Sequence, residues 1–307
     1  MVDKIPLVVG VGELLWDVYP DARRPGGAPA NVVAHAARLG ARSGLVTGVG
    51  QDEDGDALLH VLKGWGVDTA GVQRVANQAT GTVGITLDAQ GVPRFRCSSN
   101  TAFDHLEWND AAEDLSRRAD AVVVGTLAQR HVQSRGMIRR FLDEAHQAVV
   151  VFDVNFRQWT ATVQSAVQET IQKANVLKVN QDELRQLRKL WPSRSTDEIY
   201  LMHLVEEHNL MAAALTLGGQ GCLLTDGDTL VKEPGLAVDV ADTTGCGDAF
   251  TAVMTLGLMQ GWPLGVIARC ANALAAFTAT REGAVPESTQ DEAVAFMNRH
   301  GIDWYFS

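Results

Sequence analysis

The stretch Asp242-Thr243-Thr244-Gly245-Cys246-Gly247-Asp248-Ala249-Phe250 brings together residue types suited to moving a phosphoryl group. Two threonines and two glycines precede a run from Ala249 to Gly261 whose apolar residues predict a well-buried helix. A turn of small residues at a helix start presents unpaired backbone N–H groups and the positive end of the helix dipole, which suits an anion, phosphate first of all. Asp248 puts a carboxylate beside that turn. Such a pair suits a reaction in which a base takes a proton from a hydroxyl while the N–H groups of Gly245, Cys246 and Gly247 stabilise a phosphoryl group in transfer. An isolated Asp at this position would more often be only a first-turn carboxylate favoured by the dipole.

The surrounding residues weigh against that plainer reading. Asp242 to Asp248 closely resembles the second signature of the ribokinase-like (PfkB) carbohydrate kinases, usually D-T-T-G-A-G-D, with Cys246 where alanine is common. The first signature has its counterpart in Gly26-Gly27-Ala28-Pro29-Ala30-Asn31 and the following Ala36-x-x-Leu39-Gly40, although two glycines alone would read as a flexible loop. The resemblance implies that Gly27 admits close approach of a sugar, that Asn31 hydrogen-bonds its hydroxyls, and that Asp17 and Arg96 also face it. Asp153-Val154-Asn155-Phe156-Arg157 resembles the D-x-N-x-R of sugar kinases and makes Arg157 a phosphate or substrate contact; a surface arginine paired with a carboxylate stays an equal alternative.

Lys178-Val179-Asn180-Gln181-Asp182-Glu183 is similar to the family's N-x-x-E motif, which implies that Glu183 helps organise Mg2+ and phosphate through water, as suits an ion that keeps its hydration shell. By the same resemblance ATP is held by Asn180, Thr216, Gly218, Gly221 and Asn272, the last near the adenine. Taken alone, Thr216 to Gly221 is an ordinary hairpin turn. Thr280-Arg281-Glu282-Gly283-Ala284 resembles T-R-x-G-A, which implies a monovalent cation, K+, near Asp242, Thr244 and Gly283.

These residues need a scaffold that gathers distant segments. Leu7 to Gly12 predicts a buried first strand, Gly26 to Asn31 opens a helix, with Pro29 near its first position, that continues through Leu39 and stops at Gly40, and Leu45 to Val49 predicts a strand before a helix from Ala57 to Trp65. The Gly50-x-Asp52-x-x-Gly55 pattern between them is assigned to architecture. Thr80 to Arg96 alternates as a hairpin with its turn at Gln90-Gly91. From Ala121 strands and helices alternate: 121–125 then 134–148, 149–153 then 162–174, 176–179 then 182–190, and finally a helix from Pro263 to Thr280. This is an α/β pattern with a doubly wound, mostly parallel sheet flanked by helices, and ligands belong at the carboxyl ends of its strands. The resemblance makes it a ribokinase-like fold, one domain over residues 1–307, with a small β-strand lid from about 13–25 and 80–106 and a homodimer joined through that lid. No internal repeat or linker interrupts the chain.

Composition narrows the function classes. The chain has 307 residues, 46% hydrophobic and 21% charged, as expected of a globular protein, and its net charge of −11 opposes a nucleic-acid-binding surface. Its four cysteines form no C-x-x-C pair, which argues against a zinc site or a disulfide framework. No apolar run reaches membrane-spanning length and the first residues lack a secretory pattern, so no membrane partner and a cytoplasmic location are expected. The absence of any Gly-Lys dipeptide disfavours a P-loop NTPase, and Gly10-x-Gly12-x-x-Leu15 is an incomplete dinucleotide fingerprint. The resemblance therefore implies an ATP-dependent sugar kinase, most similar to fructokinases because Thr101-Ala102-Phe103-Asp104-His105-Leu106 resembles their A-W-D segment. The alternatives are a 2-keto-3-deoxygluconate kinase, ribokinase or nucleoside kinase and, from another class, a non-catalytic sugar-binding regulator, which would be expected to lose Asp248.

Overall fold

Leu7–Val11 is buried at all five positions, which a strand achieves only when both faces of its sheet are covered. The structure, a computed structural model, describes residues 5–87, 93–303 and 305; the expected turn at Gln90-Gly91 lies outside the described residues. Its strands are β1 (Leu7–Val11), β2 (Leu15–Val18), β3 (Arg23–Gly26), β4 (Arg42–Gly50), β5 (Val72–Val75), β6 (Gly81–Leu87), β7 (Pro93–Cys97), β8 (Ala121–Val124), β9 (Val149–Asp153), β10 (Val176–Asn180), β11 (Ala212–Thr216), β12 (Cys222–Thr225) and β13 (Leu230–Glu233). The helices are α1 (Ala28–Arg38), α2 (Glu53–Gly64), α3 (Asp110–Arg118), α4 (Val132–Glu144), α5 (Ala161–Ile171), α6 (Gln181–Leu190), α7 (Asp197–Glu207), α8 (Cys246–Met259), α9 (Leu264–Ala279) and α10 (Gln290–Arg299).

Nine strands form one sheet in the order β13-β12-β11-β10-β9-β8-β1-β4-β5, parallel except where β12 and β13 turn back. The chain winds outward from β1 in both directions, so the order reverses between β1 and β8, where a crevice opens at the carboxyl ends. One apolar cluster joins α1, α2, α8, α9 and α10 to one face through residues such as Val32, Leu58, Phe250, Leu274 and Phe296. A second joins α3 to α7 to the other face through Leu115, Phe141, Val167, Leu184 and Leu201. Each fully buried side chain of this size stabilises the fold by roughly 1.5–3 kcal/mol.

Two displacements from the sequence expectation matter for the site. Helix α8 begins at Cys246 rather than Ala249, because Gly245 adopts the left-handed conformation at φ 77° and caps it. Gly247 and Asp248 therefore belong to the first turn of the helix. The second is the small sheet β3-β2-β6-β7, in which β2 and β6 run parallel while both outer pairs are antiparallel. Between the sheets, Asp52 caps α2 through Gly55 N at 2.8 Å and holds Thr80 N at 2.8 Å, the architectural work expected of that loop.

Candidate active site

A cavity of about 640 Å³ lies at the carboxyl ends of β1, β9, β10 and β11, between the small sheet and the start of α8. Its lining includes Glu13, Asp17, Gly27 and Asn31, then Arg157, Lys178, Asn180, Glu183, Thr216, Gly218, Gly221 and Asn272, together with the turn 243–248. Residues scattered along the sequence thus share one crevice.

Asp248 is 8% exposed, and its Oδ2 accepts a hydrogen bond from Asn31 Nδ2 at 2.7 Å. Burial and the nearby Asp153 carboxylate raise its pKa to about 6, against the pull of Asn31, Lys178 and Arg157. The carboxyl group is therefore ionised at neutral pH yet close enough to its titration to accept a proton. Gly245 has Ala284 Cα within 2.4 Å of where a Cβ would stand, so loop 280–284 packs directly against the turn and leaves no room for a side chain. Among the described residues the N–H groups of Gly245 and Gly247 have no acceptor, as an anion-binding turn requires. The Cys246 N–H differs from expectation, since it reaches back to Thr243 O at 3.4 Å. Its thiol, pushed up to about 12 by burial and by Asp248 and Asp242, is inert at neutral pH.

Sequence reasoning passed over three residues here. Lys178 Nζ donates to Asp153 Oδ1 at 3.1 Å and would lie 3.0 Å from a Cβ on Gly247, so a buried ammonium faces the phosphate turn. Thr251 donates to the other oxygen of Asp153 at 2.8 Å. The third is Glu13, buried beside Asp17, whose Oε1 accepts from Ala28 N at 3.3 Å while its Oε2, like Asn31 Oδ1, has no partner among the described residues. Burial raises Glu13 to about 7 and Asp17 to about 6, with Arg157 opposing both shifts. A lysine just ahead of N-x-x-E was a local signal for the first; nothing local marked the third.

Several expected residues have additional or different work. Asn180 and Glu183 form a capping box on α6, Oδ1 accepting from Glu183 N at 2.9 Å and Oε2 from Asn180 N at 2.8 Å. Glu183 is buried, which raises it to about 7 against the pull of Lys178. No group of three His, Cys, Asp or Glu that could hold a metal occurs among the described residues. A single carboxylate at the cavity edge fits Mg2+ held mainly by nucleotide and water. Asn272 lines the cavity but spends its Nδ2 on Glu233 O and Pro234 O at 3.2 and 3.3 Å. Arg157 lines it too, donating to Asn155 Oδ1 at 2.8 Å.

Arg96 is a correction: it is exposed and outside the cavity lining. It pairs with Gly84, whereas Val83, which does line the cavity, is one residue away and so on the opposite face of the lid. Ala102-Phe103-Asp104 is also outside the lining, a buried turn gripped by Arg130 through Asp104 Oδ1 and Oδ2 at 2.7 and 2.6 Å. The cation expectation meets a filled place. Asp242 Oδ1 accepts from Thr244 N at 2.9 Å, Oδ2 accepts from Gly283 N at 3.0 Å, and the guanidinium of Arg24 lies 3.5 Å from Oδ2. A monovalent ion at this carboxylate would share it with a positive side chain, so these residues do not fit K+ as they stand.

A buried carboxylate on the first turn of a helix whose start leaves backbone N–H groups free, set in the switch-point crevice of an α/β sheet and roofed by a small sheet, is an arrangement suited to phosphoryl transfer onto a small hydroxylated molecule. Residues 17–291 match the pfkB family of carbohydrate kinases, and the chain belongs to that family. Fructokinase-1 of Oryza sativa subsp. japonica is 30% identical over 97% of this chain and 99% of its own length. An uncharacterized sugar kinase from Pyrococcus horikoshii, crystallised in complex with ATP, superposes with a TM-score of 0.82 at 28% identity, covering 93% of this chain and 96% of that one. A fructokinase double mutant from Vibrio cholerae O395, in a form with fructose, ADP and potassium ion bound, gives a TM-score of 0.83 at 25% identity over 96% and 99% of the two chains. No helix among the described residues is long and apolar enough to cross a membrane.

Proposed function

We propose that this carbohydrate kinase transfers the γ-phosphoryl group of ATP to a primary hydroxyl of a small neutral sugar, D-fructose. The observation that carries the reading is the set of buried oxygens around Asp248: Glu13 Oε2 and Asn31 Oδ1 are acceptors without partners, and Asp17 adds a third acceptor group. Hydroxyl groups supply donors to those unpartnered oxygens; a substrate carboxylate does not. In the proposed step Asp248 takes the proton of the attacking hydroxyl as its oxygen bonds to the γ-phosphorus and the bond to the departing ADP breaks. The N–H groups of Gly245 and Gly247 and the Lys178 ammonium stabilise the phosphoryl charge. Mg2+, with Glu183 at its edge, would neutralise charge on the nucleotide phosphates. Thr216, Gly218, Gly221 and Asn272 would hold the nucleotide.

Arg157 favours one second reading, a 2-keto-3-deoxygluconate kinase, because it is a cation within electrostatic reach of Glu13 and Asp17. Initial rates of ADP release at subsaturating sugar compare specificity constants directly. D-fructose is expected to exceed both ribose and 2-keto-3-deoxygluconate; a larger constant for the keto acid would overturn the fructose assignment and leave the kinase intact. A homodimer through the small sheet is part of the same reading, and sedimentation would measure it.

A further inference from the structure

Strand β3 carries an arginine to a place far from its own neighbours in sequence. Arg24 pairs across the ladder with Asp17 and therefore shares its face of the small sheet. Its guanidinium donates to Glu282 Oε2 at 2.7 Å, lies 3.5 Å from Asp242 Oδ2, and stacks on the ring of Tyr19 at 4.8 Å. Tyr19 in turn places its hydroxyl 3.2 Å from Thr244 Oγ1. Asp242 is the joint of this assembly, since its two oxygens accept the N–H groups of Thr244 in the phosphate turn and of Gly283 in the loop packed against Gly245. A carboxylate so close to an anion-binding turn opposes a phosphoryl group unless a positive charge compensates it.

We propose that Arg24 is a positioning residue that provides this compensation from within the chain, standing where a monovalent cation would otherwise be needed, and that it couples the small sheet carrying Asp17 to the turn carrying Asp248. The inference rests on the kinase reading of the site. Its consequence is that turnover does not require potassium.

The experiment measures sugar-dependent ADP release at constant ionic strength in potassium and in tetramethylammonium, for the natural protein, Arg24→Ala and Arg24→Lys, with melting temperatures alongside. In the natural protein the exchange is expected to change kcat less than about twofold. Arg24→Ala is expected to lose about tenfold in kcat, less than removal of a direct oxyanion donor. Potassium or guanidinium should restore part of that loss, and Arg24→Lys should retain most of the rate. Severalfold potassium activation of the natural protein would overturn the proposal without any variant, even if Arg24→Ala fails to fold. An Arg24→Ala protein of normal melting temperature that keeps full activity, or loses activity that neither cation restores, would overturn it equally. Absence of any sugar-dependent ADP release would instead overturn the kinase reading.

Discussion

Asp248, the proposed base, is set in a conflict between burial and charge. The carboxyl group is held at about 6 instead of the ordinary 3.8, which costs roughly 3 kcal/mol of folding stability at neutral pH. Asn31 moderates that cost by donating to Oδ2, and in doing so aims the base. Asp248→Asn keeps an oxygen to accept this hydrogen bond and removes the buried charge. It is expected to lower kcat by about a hundredfold to ten-thousandfold, as for loss of a general base, while raising the melting temperature. In the natural enzyme kcat should fall as pH drops through about 6, where Asp248 takes up its proton. A pH-independent kcat between 5 and 8, with chemistry limiting, would exclude Asp248 as the base.

Helix α6 shows one motif serving two ends. Asn180 and Glu183 satisfy each other's backbone N–H groups at its start, so N-x-x-E is a capping box before it is anything else. A glutamine can still accept the Asn180 N–H, so Glu183→Gln is expected to leave the melting temperature unchanged or higher. Its lost charge should raise the Mg2+ concentration for half-maximal rate by about tenfold, the scale seen when an outer-shell partner is removed. An unchanged Mg2+ requirement would reduce Glu183 to its cap.

The whole molecule concentrates buried carboxyl groups around the cavity, and this sets an unusual pH response. Glu13 and Glu183 are held at about 7, Asp17 and Asp248 at about 6, whereas the unfolded chain releases such protons near pH 4. Between those limits the folded state binds more protons, so stability falls as pH rises. His35 acts oppositely: buried, bonded to Ala284 O at 2.9 Å and held at about 4, it stays neutral while the unfolded chain protonates below 6.5. Four carboxyls outweigh one imidazole, and Asp52 and Asp242, which are lowered, lose their contribution only at more acid pH. The ligand-free protein is therefore expected to melt a few degrees higher at pH 5.5 than at pH 8, although its activity runs the other way. Calorimetry showing the reverse order would mean that these carboxyl groups are solvated in the ligand-free state.

Asp242 to Asp248, Gly26 to Asn31 and the alternation of strands and helices from Ala121 could be read directly, because a helix-start turn and a buried strand are made by residues adjacent in the chain. The helices α3, α7 and α10 carry no expectation from the sequence although Asn109, Thr196 and Thr289 cap them, since the carboxylates that follow each cap look like loop. The family and the α/β architecture were thus legible locally. Which face of the lid Arg96 takes depends on strand pairing, where one residue of register reverses every side chain. Lys178 beside Gly247, Asn31 beside Asp248 and Arg24 beside Asp242 are meetings of segments far apart in sequence, and no local pattern carries that information. Those contacts exist only once the two sheets and α8 have packed together, and for that reason the charge balance of the site was decided by tertiary structure alone.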